Sequence, residues 1–359
     1  MKYIVSGGGT GGHIYPAISI AKEILSREED AQVLYIGTET GPEGGIVRQS
    51  GLDFETVRVS YIPRKISIKL IRSLFKLLGG FSDAKKIIND FKPNMLIGTG
   101  GYVSFPVLYM AQRKKIPTII LETNAYPGLA NKFLAKKASA VCVTFDETIG
   151  RLTITGDVYK TGNPLRPDFF QDSNKEKYEQ EGKLVLSFGG SGGQKSLNNA
   201  LIEIIKGDLL DNVFLIHITG KRHYDSFVSA LGNYNKEKYR VIDYTEDVPS
   251  IMLAADLVVA SAGMMTLTEI SAASVASILV PKAYTAENHQ EYNARAYERG
   301  GASKLIIESD LNGKLLSDTI NSLFLNDDLL KKMGKNAYEL ANIKANEEIY
   351  EIIRLVRRG

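Results

Sequence analysis

The feature that most constrains this chain is a buried strand followed directly by a glycine turn and a helix, in the stretch 256–296. Leu257–Ala260 is an apolar run of strand length, Ala262-Gly263 interrupts it, and residues 266–273 have a helical pattern. Such a run fits a strand buried on both faces of a parallel sheet. The helix then begins at the carboxyl edge of the strand, where its first N–H groups and its dipole favour an anion. The stretch therefore predicts a diphosphate site.

Two polar side chains in this stretch have more than one interpretation. Thr266 and Glu269 have the spacing of a capping box, in which both side chains close the start of a helix. A carboxylate one turn into the helix can equally accept two ribose hydroxyls, and the residues by themselves leave both interpretations open. The segment 281–290 that follows is too polar for a core and carries His289 and Gln290, which is typical of a functional loop.

Length and composition bound the class of protein. A chain of 359 residues with 44% hydrophobic content exceeds the size at which one core usually divides, so we expect two domains. The one cysteine, Cys142, excludes an internal disulfide and a cysteine-based zinc site, and the four histidines lack ligand spacing. No apolar run reaches the roughly 18 residues of a spanning helix, so we expect a chain that is neither spanning nor exported. A net charge of +3 is too small to indicate nucleic acid.

A second glycine turn lies near the N-terminus, between an apolar run and a helical pattern. Gly7, Gly9 and Gly12 have the spacing of a dinucleotide-binding loop, so a Rossmann dehydrogenase is one interpretation. His13 argues against it, because an imidazole beside a cofactor pyrophosphate has no evident task. Its ordinary pKa of about 6.5 leaves a histidine largely neutral at pH 7 and suited to proton abstraction. His13 is therefore the first candidate for a general base.

Strand-like runs alternate with helical intervals along the chain, which predicts an α/β fold of two doubly wound parallel-sheet domains. The apolar run 184–188 again leads into glycines, so the second half repeats the scheme of the first. A turn at Asn163-Pro164 marks the expected boundary. We predict an N-terminal domain at 1–163 and a C-terminal domain at 164–341, with the two sheets facing one cleft.

The segment 62–81 has the pattern of a basic amphipathic helix. One helical face carries the basic residues Lys65, Lys69, Arg72 and Lys76. The neighbouring apolar face includes Ile71 and Phe75. Such a helix either dips into anionic lipid headgroups or packs on its own domain with a solvated basic edge. Both interpretations remain open.

Several motifs occur in an order that resembles one known family. They lie at 7–17, 98–104, 122–124, 128–132, 161–166, 189–198 and 263–295. This set resembles the two-domain GT-B transferases of glycosyltransferase family 28 that add N-acetylglucosamine (GlcNAc) to a lipid-linked muramyl peptide. The resemblance covers nearly the full length. One motif departs from the family pattern His-Glu-Gln-Asn, because this chain has Leu121 and Thr123 at the first and third positions.

The resemblance implies an inverting enzyme that moves GlcNAc from UDP-GlcNAc to the C4 hydroxyl of MurNAc in lipid I, undecaprenyl-diphospho-muramyl pentapeptide. The product is lipid II for peptidoglycan synthesis. It also implies a peripheral location at the cytoplasmic face of the cell membrane, contacts with anionic inner-membrane lipids and cell-wall synthesis proteins, and a C-terminal helix at 342–359 that packs on the N-terminal domain. No Asp-x-Asp metal clamp occurs in the sequence, so we expect no cofactor and no obligatory metal.

The same resemblance suggests residues for the acceptor side. Glu122 and Asn124 would orient the acceptor or the base His13. The expected acceptor-side binding residues are Thr10, Gly11, Gly12, Tyr102, Asn124 and Asn131. A carboxylate at the end of a strand is also often a helix cap, so a structural role for Glu122 stays open.

On the donor side, N–H groups of Ser191, Gly192 and Gly193 and the guanidinium of Arg166 can meet the charge that develops on a departing diphosphate. The backbone at Tyr244 and Thr245, after a predicted strand, would bind uracil. The resemblance assigns the ribose to Glu269 and the sugar hydroxyls to His289 and Gln290. It assigns the start of the preceding helix, Gly263, Met264, Met265 and Thr266, to the nucleotide.

Two further alternatives come from different classes of protein. Another GT-B enzyme, such as a UDP-GlcNAc 2-epimerase, would share the donor motifs but need no membrane-facing helix. A binding module without catalytic activity is conceivable because of Leu121 and Thr123. Transfer of GlcNAc to a lipid acceptor distinguishes the transferase from both.

Overall fold

A computed structural model of the chain describes residues 1–61, 63, 67–166, 168–171, 175–178, 182–340 and 342–358. The chain divides into two compact units. The first comprises Met1–Arg166 and the C-terminal Asn342–Gly359, and the second comprises Pro167–Ala341.

Each unit is built on one parallel sheet. The first sheet contains β1 (Lys2–Gly7), β2 (Gln32–Gly37), β3 (Asp53–Thr56), β4 (Met95–Gly100), β5 (Thr118–Glu122), β6 (Ala140–Val143) and β7 (Asp157–Lys160). The second contains β8 (Lys183–Phe188), β9 (Val213–Ile218), β10 (Tyr239–Ile242), β11 (Leu257–Ala260), β12 (Ala276–Leu279) and β13 (Ser303–Leu305).

Helices connect the strands and cover the sheets. In chain order they are α1 (Gly11–Arg27), α2 (Glu43–Gln49), α3 (Ile68–Phe91), α4 (Gly101–Arg113), α5 (Leu129–Leu134), α6 (Asp146–Ile149), α7 (Asp168–Gln171), α8 (Lys195–Gly207), α9 (Tyr224–Leu231), α10 (Val248–Ala254), α11 (Met264–Ala272), α12 (His289–Arg299), α13 (Gly313–Phe324), α14 (Asp327–Leu340) and α15 (Ala345–Arg358).

Apolar side chains fill both faces of the first sheet. Tyr3 and Val5 of β1 pack with α1 and α15 on one face, while Ile4 and Leu96 pack with α3 and α4 on the other. Successive side chains of a strand point to opposite faces, so a strand covered on both sides is mostly apolar. The second sheet has the same parallel construction. The predicted fold of two doubly wound α/β domains is confirmed.

The order of the strands reverses once in each sheet. The first sheet runs β3-β2-β1-β4-β5-β6-β7, and the second runs β10-β9-β8-β11-β12-β13. Chain connections therefore leave in opposite directions from β1 and β4, and from β8 and β11. Open α/β sheets bind ligands at the carboxyl ends of strands where this reversal occurs. The four loops that follow these four strands are the glycine-containing motifs noted in the sequence.

The end of the chain packs on the first unit. Ile349 and Ile353 of α15 are buried in the same apolar cluster as α1. Glu28, which follows α1, accepts hydrogen bonds from the hydroxyls of Tyr3 (3.0 Å) and Tyr350 (3.2 Å) and from the Arg357 guanidinium (2.9 Å). These polar bonds fix the helix along the edge of its apolar contact.

Two helix starts differ from the sequence-based expectation. The amphipathic helix α3 starts at Ile68, where Ser67 accepts a hydrogen bond from the N–H of Leu70, and it runs ten residues beyond the predicted end at 81. Lys65 lies outside the described residues. Helix α11 starts at Met264 with Gly263 as its N-cap, so Thr266 lies inside the helix. The capping-box interpretation of Thr266 and Glu269 is therefore wrong.

A histidine in the core of the second unit contacts two hydrogen-bond acceptors. His217 is fully buried, with Nδ1 3.2 Å from the Ser187 carbonyl and Nε2 3.1 Å from Oδ1 of Asn198. The amide nitrogen of Asn198 donates to the Thr219 carbonyl (3.1 Å), which sets the orientation of that side chain. Burial lowers the pKa of His217 to about 4, although the Ser187 carbonyl opposes this shift. A neutral ring donates to only one of the two acceptors, but the cost of burying a charged imidazolium outweighs the second hydrogen bond and keeps the ring neutral.

We expect acid to destabilise the second unit through His217. The unfolded chain protonates the ring near pH 6.5, whereas the native ring stays neutral down to about pH 4. Stability is therefore complete above pH 6.5 and falls as the pH drops towards 4, by about 3 kcal/mol. In urea unfolding, His217→Gln should lack this part of the pH dependence, while His223→Gln should retain it. A constant difference between wild type and His217→Gln from pH 7 to 4.5 would contradict the assignment.

Candidate active site

The two glycine loops of the first unit lie against each other at the carboxyl edge of the sheet. They follow β1 and β4, which are adjacent. Gly101 has a φ of +81°, and a Cβ at this position would lie 2.2 Å from the Gly8 carbonyl oxygen. The ring of Tyr102 covers Gly9, where a Cβ would lie 2.9 Å from a ring carbon. Only glycine permits this close approach of the loops.

His13 lies where these loops meet, in the first turn of α1, and is partly buried. Its Nδ1 is 2.9 Å from the carbonyl oxygen of Thr99, and the Thr99 hydroxyl donates to the His13 carbonyl (2.6 Å). A carbonyl oxygen only accepts, so Nδ1 carries the hydrogen and Nε2 of the neutral ring carries the lone pair. Burial lowers the pKa of His13, which keeps the ring neutral at pH 7. The side chain is thus prepared to accept a proton at Nε2.

Glu122 ends β5 and is fully buried. Its Oε1 accepts from the backbone N–H (3.0 Å) and side-chain amide (3.2 Å) of Asn124, and its Oε2 accepts from the Gly128 N–H (3.0 Å) and the Asn131 amide (2.9 Å). Burial raises the pKa of Glu122, and these four donors oppose the shift. The geometry gives Glu122 a structural task, which is to hold the loop after β5.

The other acceptor-side candidates differ in exposure. Asn131 is buried, and its amide also donates to the Leu121 carbonyl (3.1 Å). A Cβ on Gly100 would lie 3.0 Å from the His13 ring and 3.3 Å from the Asn131 amide, so the two side chains flank this glycine. Thr10 is exposed, and as N-cap of α1 it makes no capping hydrogen bond with its side chain. Gly11, Gly12 and Tyr102 belong to the same pair of loops.

A buried glutamate that the sequence analysis missed supports the first glycine loop. Glu43 begins α2, is fully buried, and accepts from the N–H (2.9 Å) and hydroxyl (2.5 Å) of Thr38 and from the Gly9 N–H (3.3 Å). A pyrophosphate bound at this loop would face the Glu43 carboxylate. This arrangement disfavours the dinucleotide interpretation of the loop. No local pattern marks Glu43, because its contact with Gly9 spans 34 residues of sequence.

In the second unit, a polar pocket opens beside the glycine loop that follows β8. Gly193 has a φ of +70°, and a Cβ there would lie 2.2 Å from the Thr219 carbonyl oxygen. The loop therefore lies directly against the end of β9. The pocket has a volume of about 380 Å³ and is lined by Ser191, Gly192, Lys221, Arg222 and Tyr244.

Lys221 and Arg222 are two cations of this pocket that the sequence analysis missed. They follow β9 after Thr219-Gly220, so the signal was again a glycine at the end of a strand. The ammonium of Lys221 lies 4.5 Å from the centre of the Tyr244 ring. A guanidinium nitrogen of Arg222 would lie 3.3 Å from a Cβ on Gly192, so it sits close to the loop backbone. The Gly193 N–H donates to the Gly190 carbonyl (2.9 Å) and is therefore already used within the loop. Positive charge beside the N–H groups of Ser191 and Gly192 suits a phosphate group.

The start of α11 gathers a second set of candidates. Glu269 lies one turn into the helix and is buried. The Gln290 amide lies 3.8 Å from a Cβ built on Gly263, and its Oε1 accepts from the Lys282 N–H (3.0 Å). Asn293 donates to the carbonyl of Ala262 (3.3 Å), which ties α12 to the turn before α11. The structure thus brings the predicted residues Gly263 and Gln290 together.

The remaining candidates occupy separate positions. Arg166 is the last residue of the N-terminal segment of the first unit, and it is half-buried. Thr245 uses its hydroxyl to accept the Asp247 N–H (3.0 Å), which leaves its backbone for other contacts. His289 begins α12, and Met264 and Met265 form the first turn of α11.

Helix α3 exposes its apolar side. Phe75 is 70% exposed, Ile71 is 54% exposed, and Ile68, Leu74 and Leu78 are also exposed. The basic residues Lys69, Arg72 and Lys76 are exposed on the same helix. Its buried positions carry small residues, Ser73, Gly80 and Ala84, together with Ile88. Farther along, the helix packs on its unit through larger side chains as well, such as Phe81 against Tyr109, so the exposed apolar face belongs to its first half.

Neither a metal cluster nor a membrane-spanning helix occurs among the described residues. No group of three or more histidine, cysteine, aspartate or glutamate side chains in this part of the chain is arranged to hold a metal ion. None of the described helices is both long and apolar enough to cross a bilayer.

Comparison with known proteins identifies the family over both units. The glycosyltransferase family 28 N-terminal domain matches residues 3–143, and the family 28 C-terminal domain matches residues 184–353. A protein from Finegoldia magna is 43% identical over the whole chain and 99% of its own length, and one from Thermoanaerobacter sp. is 41% identical over 99% of the chain and its own full length. Both are named UDP-N-acetylglucosamine--N-acetylmuramyl-(pentapeptide) pyrophosphoryl-undecaprenol N-acetylglucosamine transferase.

Solved structures give the same architecture. The crystal structure of MurG from Acinetobacter baumannii superposes with a TM-score of 0.79 at 25% identity, covering 98% of this chain and 99% of that one. A UDP-GlcNAc 2-epimerase from Neisseria meningitidis has a TM-score of 0.69 at 16% identity, covering 99% and 100% of the two chains, which shows a shared fold. The chain belongs to glycosyltransferase family 28 and has the GT-B architecture of two parallel-sheet domains.

Proposed function

We propose that this enzyme transfers GlcNAc from UDP-GlcNAc to the C4 hydroxyl of MurNAc in lipid I, with inversion at the anomeric carbon, to give lipid II. The names of full-length relatives at about 40% identity support these two substrates. The structural observation that supports the chemistry is the fixed tautomer of His13. Its Nδ1 donates to the Thr99 carbonyl at 2.9 Å.

In this mechanism Nε2 of His13 accepts the proton of the C4 hydroxyl as the oxygen attacks the anomeric carbon of the donor. The C–O bond to the diphosphate breaks at the same time, and UDP leaves with the electron pair. The lowered pKa of His13 keeps the base unprotonated at neutral pH. Glu122 acts as a positioning residue, because its four hydrogen bonds hold Asn124 and Asn131 in the loop beside the base.

The donor diphosphate would be received at the loop of Ser191, Gly192 and Gly193. Its developing negative charge would meet the backbone N–H groups of Ser191 and Gly192, with Lys221 and Arg222 lining the same pocket. Removal of one such preorganised donor typically costs about 3–4 kcal/mol of transition-state stabilisation. Arg166 would add a further cation. These cationic side chains can stabilise the leaving diphosphate as a metal ion would, so we propose that no metal is required.

The rest of the donor would be bound by the second unit. Glu269 would accept the ribose hydroxyls. The Tyr244 carbonyl and the Thr245 backbone would bind uracil, because the Tyr244 N–H already donates to the Asp243 carboxylate (2.7 Å). His289 and Gln290 would contact hydroxyls of GlcNAc near the start of α11, where Gln290 already lies beside Gly263.

The first unit would meet the lipid acceptor at a membrane. Exposed Ile71 and Phe75 beside exposed Lys69 and Arg72 support a docking role for α3 on anionic lipid. We therefore propose a peripheral location at the cytoplasmic face of the cell membrane. Other cell-wall synthesis proteins would be partners there. Thr10, Gly11, Gly12 and Tyr102 would line the acceptor site next to His13.

One assay tests the function as a whole. Purified enzyme is incubated with labelled UDP-GlcNAc and a lipid I analogue, and the products are separated. We expect label in a disaccharide lipid together with free UDP. Recovery of UDP-ManNAc without transfer would instead identify an epimerase, and binding without turnover would identify a module that lacks catalytic activity.

Substitution of the base should remove turnover more than binding. We expect His13→Ala to lower kcat by roughly 10²–10⁴-fold, as general bases do, with nearly unchanged affinity for UDP in calorimetry. The wild-type rate should be flat above pH 6.5 and decrease at lower pH, because the imidazolium cannot accept a proton. A variant that lost UDP affinity with normal kcat would make His13 a binding group.

Substitution of Glu269 should weaken donor binding. A buried carboxylate that pairs ribose hydroxyls contributes about 1.5–3 kcal/mol for each charged hydrogen bond, so Glu269→Ala should raise the Kd for UDP at least about tenfold. Glu298→Ala removes an exposed glutamate from α12 and serves as the control. Equal affinity of Glu269→Ala and wild type would exclude Glu269 from the nucleotide site.

Charge reversal on α3 should release the enzyme from membranes. Each basic residue near an anionic surface contributes about 1 kcal/mol, screened within about 8 Å at physiological salt. Lys69→Glu with Arg72→Glu should therefore abolish co-sedimentation with anionic vesicles and spare transfer to a short-chain soluble acceptor. Lys85→Glu with Lys86→Glu makes the same charge change farther along α3 and should retain binding. Sedimentation of the first double variant would show that another surface meets the lipid.

A further inference from the structure

Glu308 lies just after β13 and joins two loops of the second unit. Its Oε1 accepts from the Gln194 side-chain amide (3.1 Å) and from the Ser196 hydroxyl, both at the start of α8. Its Oε2 accepts from the backbone N–H of Ala283 (2.7 Å) in the loop after β12. These donors, together with the nearby Lys282, lower the pKa of Glu308, although partial burial opposes them. The two carboxylate oxygens thus face two different loops.

Lys282 makes a second link between the same loops. Its ammonium donates to the carbonyl of Gly193 (2.9 Å), inside the glycine loop that follows β8. Burial lowers the pKa of Lys282, the Glu308 charge opposes this, and the nearby Arg222 reinforces it. The backbone N–H of Lys282 also donates to Gln290 Oε1 (3.0 Å). Lys282 therefore contacts the glycine loop with its side chain and the start of α12 with its backbone.

We propose that Glu308 and Lys282 form a clamp that holds the glycine loop 189–194 against the loop 281–285. Neither residue needs to touch the substrate, and both are positioning residues. By fixing the Gly193 carbonyl and the Gln194 side chain, the clamp sets the direction of the loop N–H groups. By fixing Ala283 and Gln290, it also sets the position of the side chains proposed to bind the sugar. The identity of the ligand, UDP-GlcNAc, rests on the proposed function, whereas the clamp itself rests on these contacts.

The clamp depends on a carboxylate. The three hydrogen-bonding partners of Glu308 all donate, and a carboxylate accepts at both oxygens. In Glu308→Gln, one oxygen still accepts but the amide group would face a donor, so one of the two loops loses its bond. Glu308→Ala loses both. A loop that is free to move must be ordered again when the ligand binds, which lowers affinity.

The experiment measures the loops and the ligand separately. Hydrogen exchange at the Ala283 amide reads the clamp directly, because this N–H is bonded to Glu308. Calorimetry with UDP measures how the clamp affects ligand affinity, and steady-state kinetics measure how it affects the KM of each substrate. The variants are Glu308→Ala, Glu308→Gln, Lys282→Met and the double variant Glu308→Ala with Lys282→Met. Asp310→Ala removes an exposed carboxylate two residues beyond Glu308 and is the matched control.

We expect faster exchange at Ala283 in Glu308→Ala, with roughly 10- to 100-fold weaker UDP binding. The KM for UDP-GlcNAc should rise by a similar factor while the KM for the lipid acceptor stays constant. Glu308→Gln should be intermediate. The loss of UDP affinity in the double variant should be smaller than the product of the losses in the single variants, because the two residues hold the same pair of loops. Asp310→Ala should match wild type.

Other outcomes separate the two proposals. Wild-type exchange at Ala283 and wild-type UDP affinity in folded Glu308→Ala would overturn the clamp and leave the proposed function standing. If the wild-type enzyme itself bound no UDP, the proposed function would fail, and the exchange data would still decide whether the clamp exists. If Glu308→Ala did not fold, Glu308→Gln and Lys282→Met decide by the same measurements.

Discussion

The close approach of two backbones at the edge of the first sheet is the constraint on which the site depends. The loop after β1 and the loop after β4 meet because their strands are neighbours at the point where strand order reverses. Side chains at Gly8 or Gly101 would fill the space between them. With the loops in contact, the Thr99 carbonyl is brought to His13 and selects its tautomer. A backbone contact thereby decides which ring nitrogen can take a proton.

Much of this arrangement was predictable from local sequence signals. An apolar run that ends in glycines and continues into a helical pattern occurs at β1, β8 and β11, and the structure has a strand, a turn and a helix at each place. The signal is strong because a doubly covered strand is mostly apolar and its tight exit needs glycine. The start of α11 was harder to predict, since Thr266 and Glu269 fit a capping box while Gly263 is the actual cap.

The supporting residues could not be predicted, because their partners are distant in sequence. Glu43 contacts Gly9 across 34 positions, and Glu308 contacts Gln194 across 114. Neither carboxylate belongs to a recognisable motif. In the sequence, each looks like an ordinary polar surface residue. Only the folded sheet brings them to the glycine loops. Both sites thus combine loops that the sequence reveals with carboxylates that it does not.

Helix α3 illustrates a different limit. Its amphipathic pattern was equally consistent with a packed helix and with one that faces lipid, because periodicity records that a helix has two sides but not which side meets the protein. The structure supplies that information: small residues, Ser73, Gly80 and Ala84, are turned inward, and Ile71 and Phe75 are turned outward. Larger side chains pack on the unit towards the end of the helix, where Phe81 contacts Tyr109 and Ile88 is buried, whereas large apolar side chains near its start are left exposed. An apolar face of this kind, next to basic side chains, gains most from contact with a lipid surface.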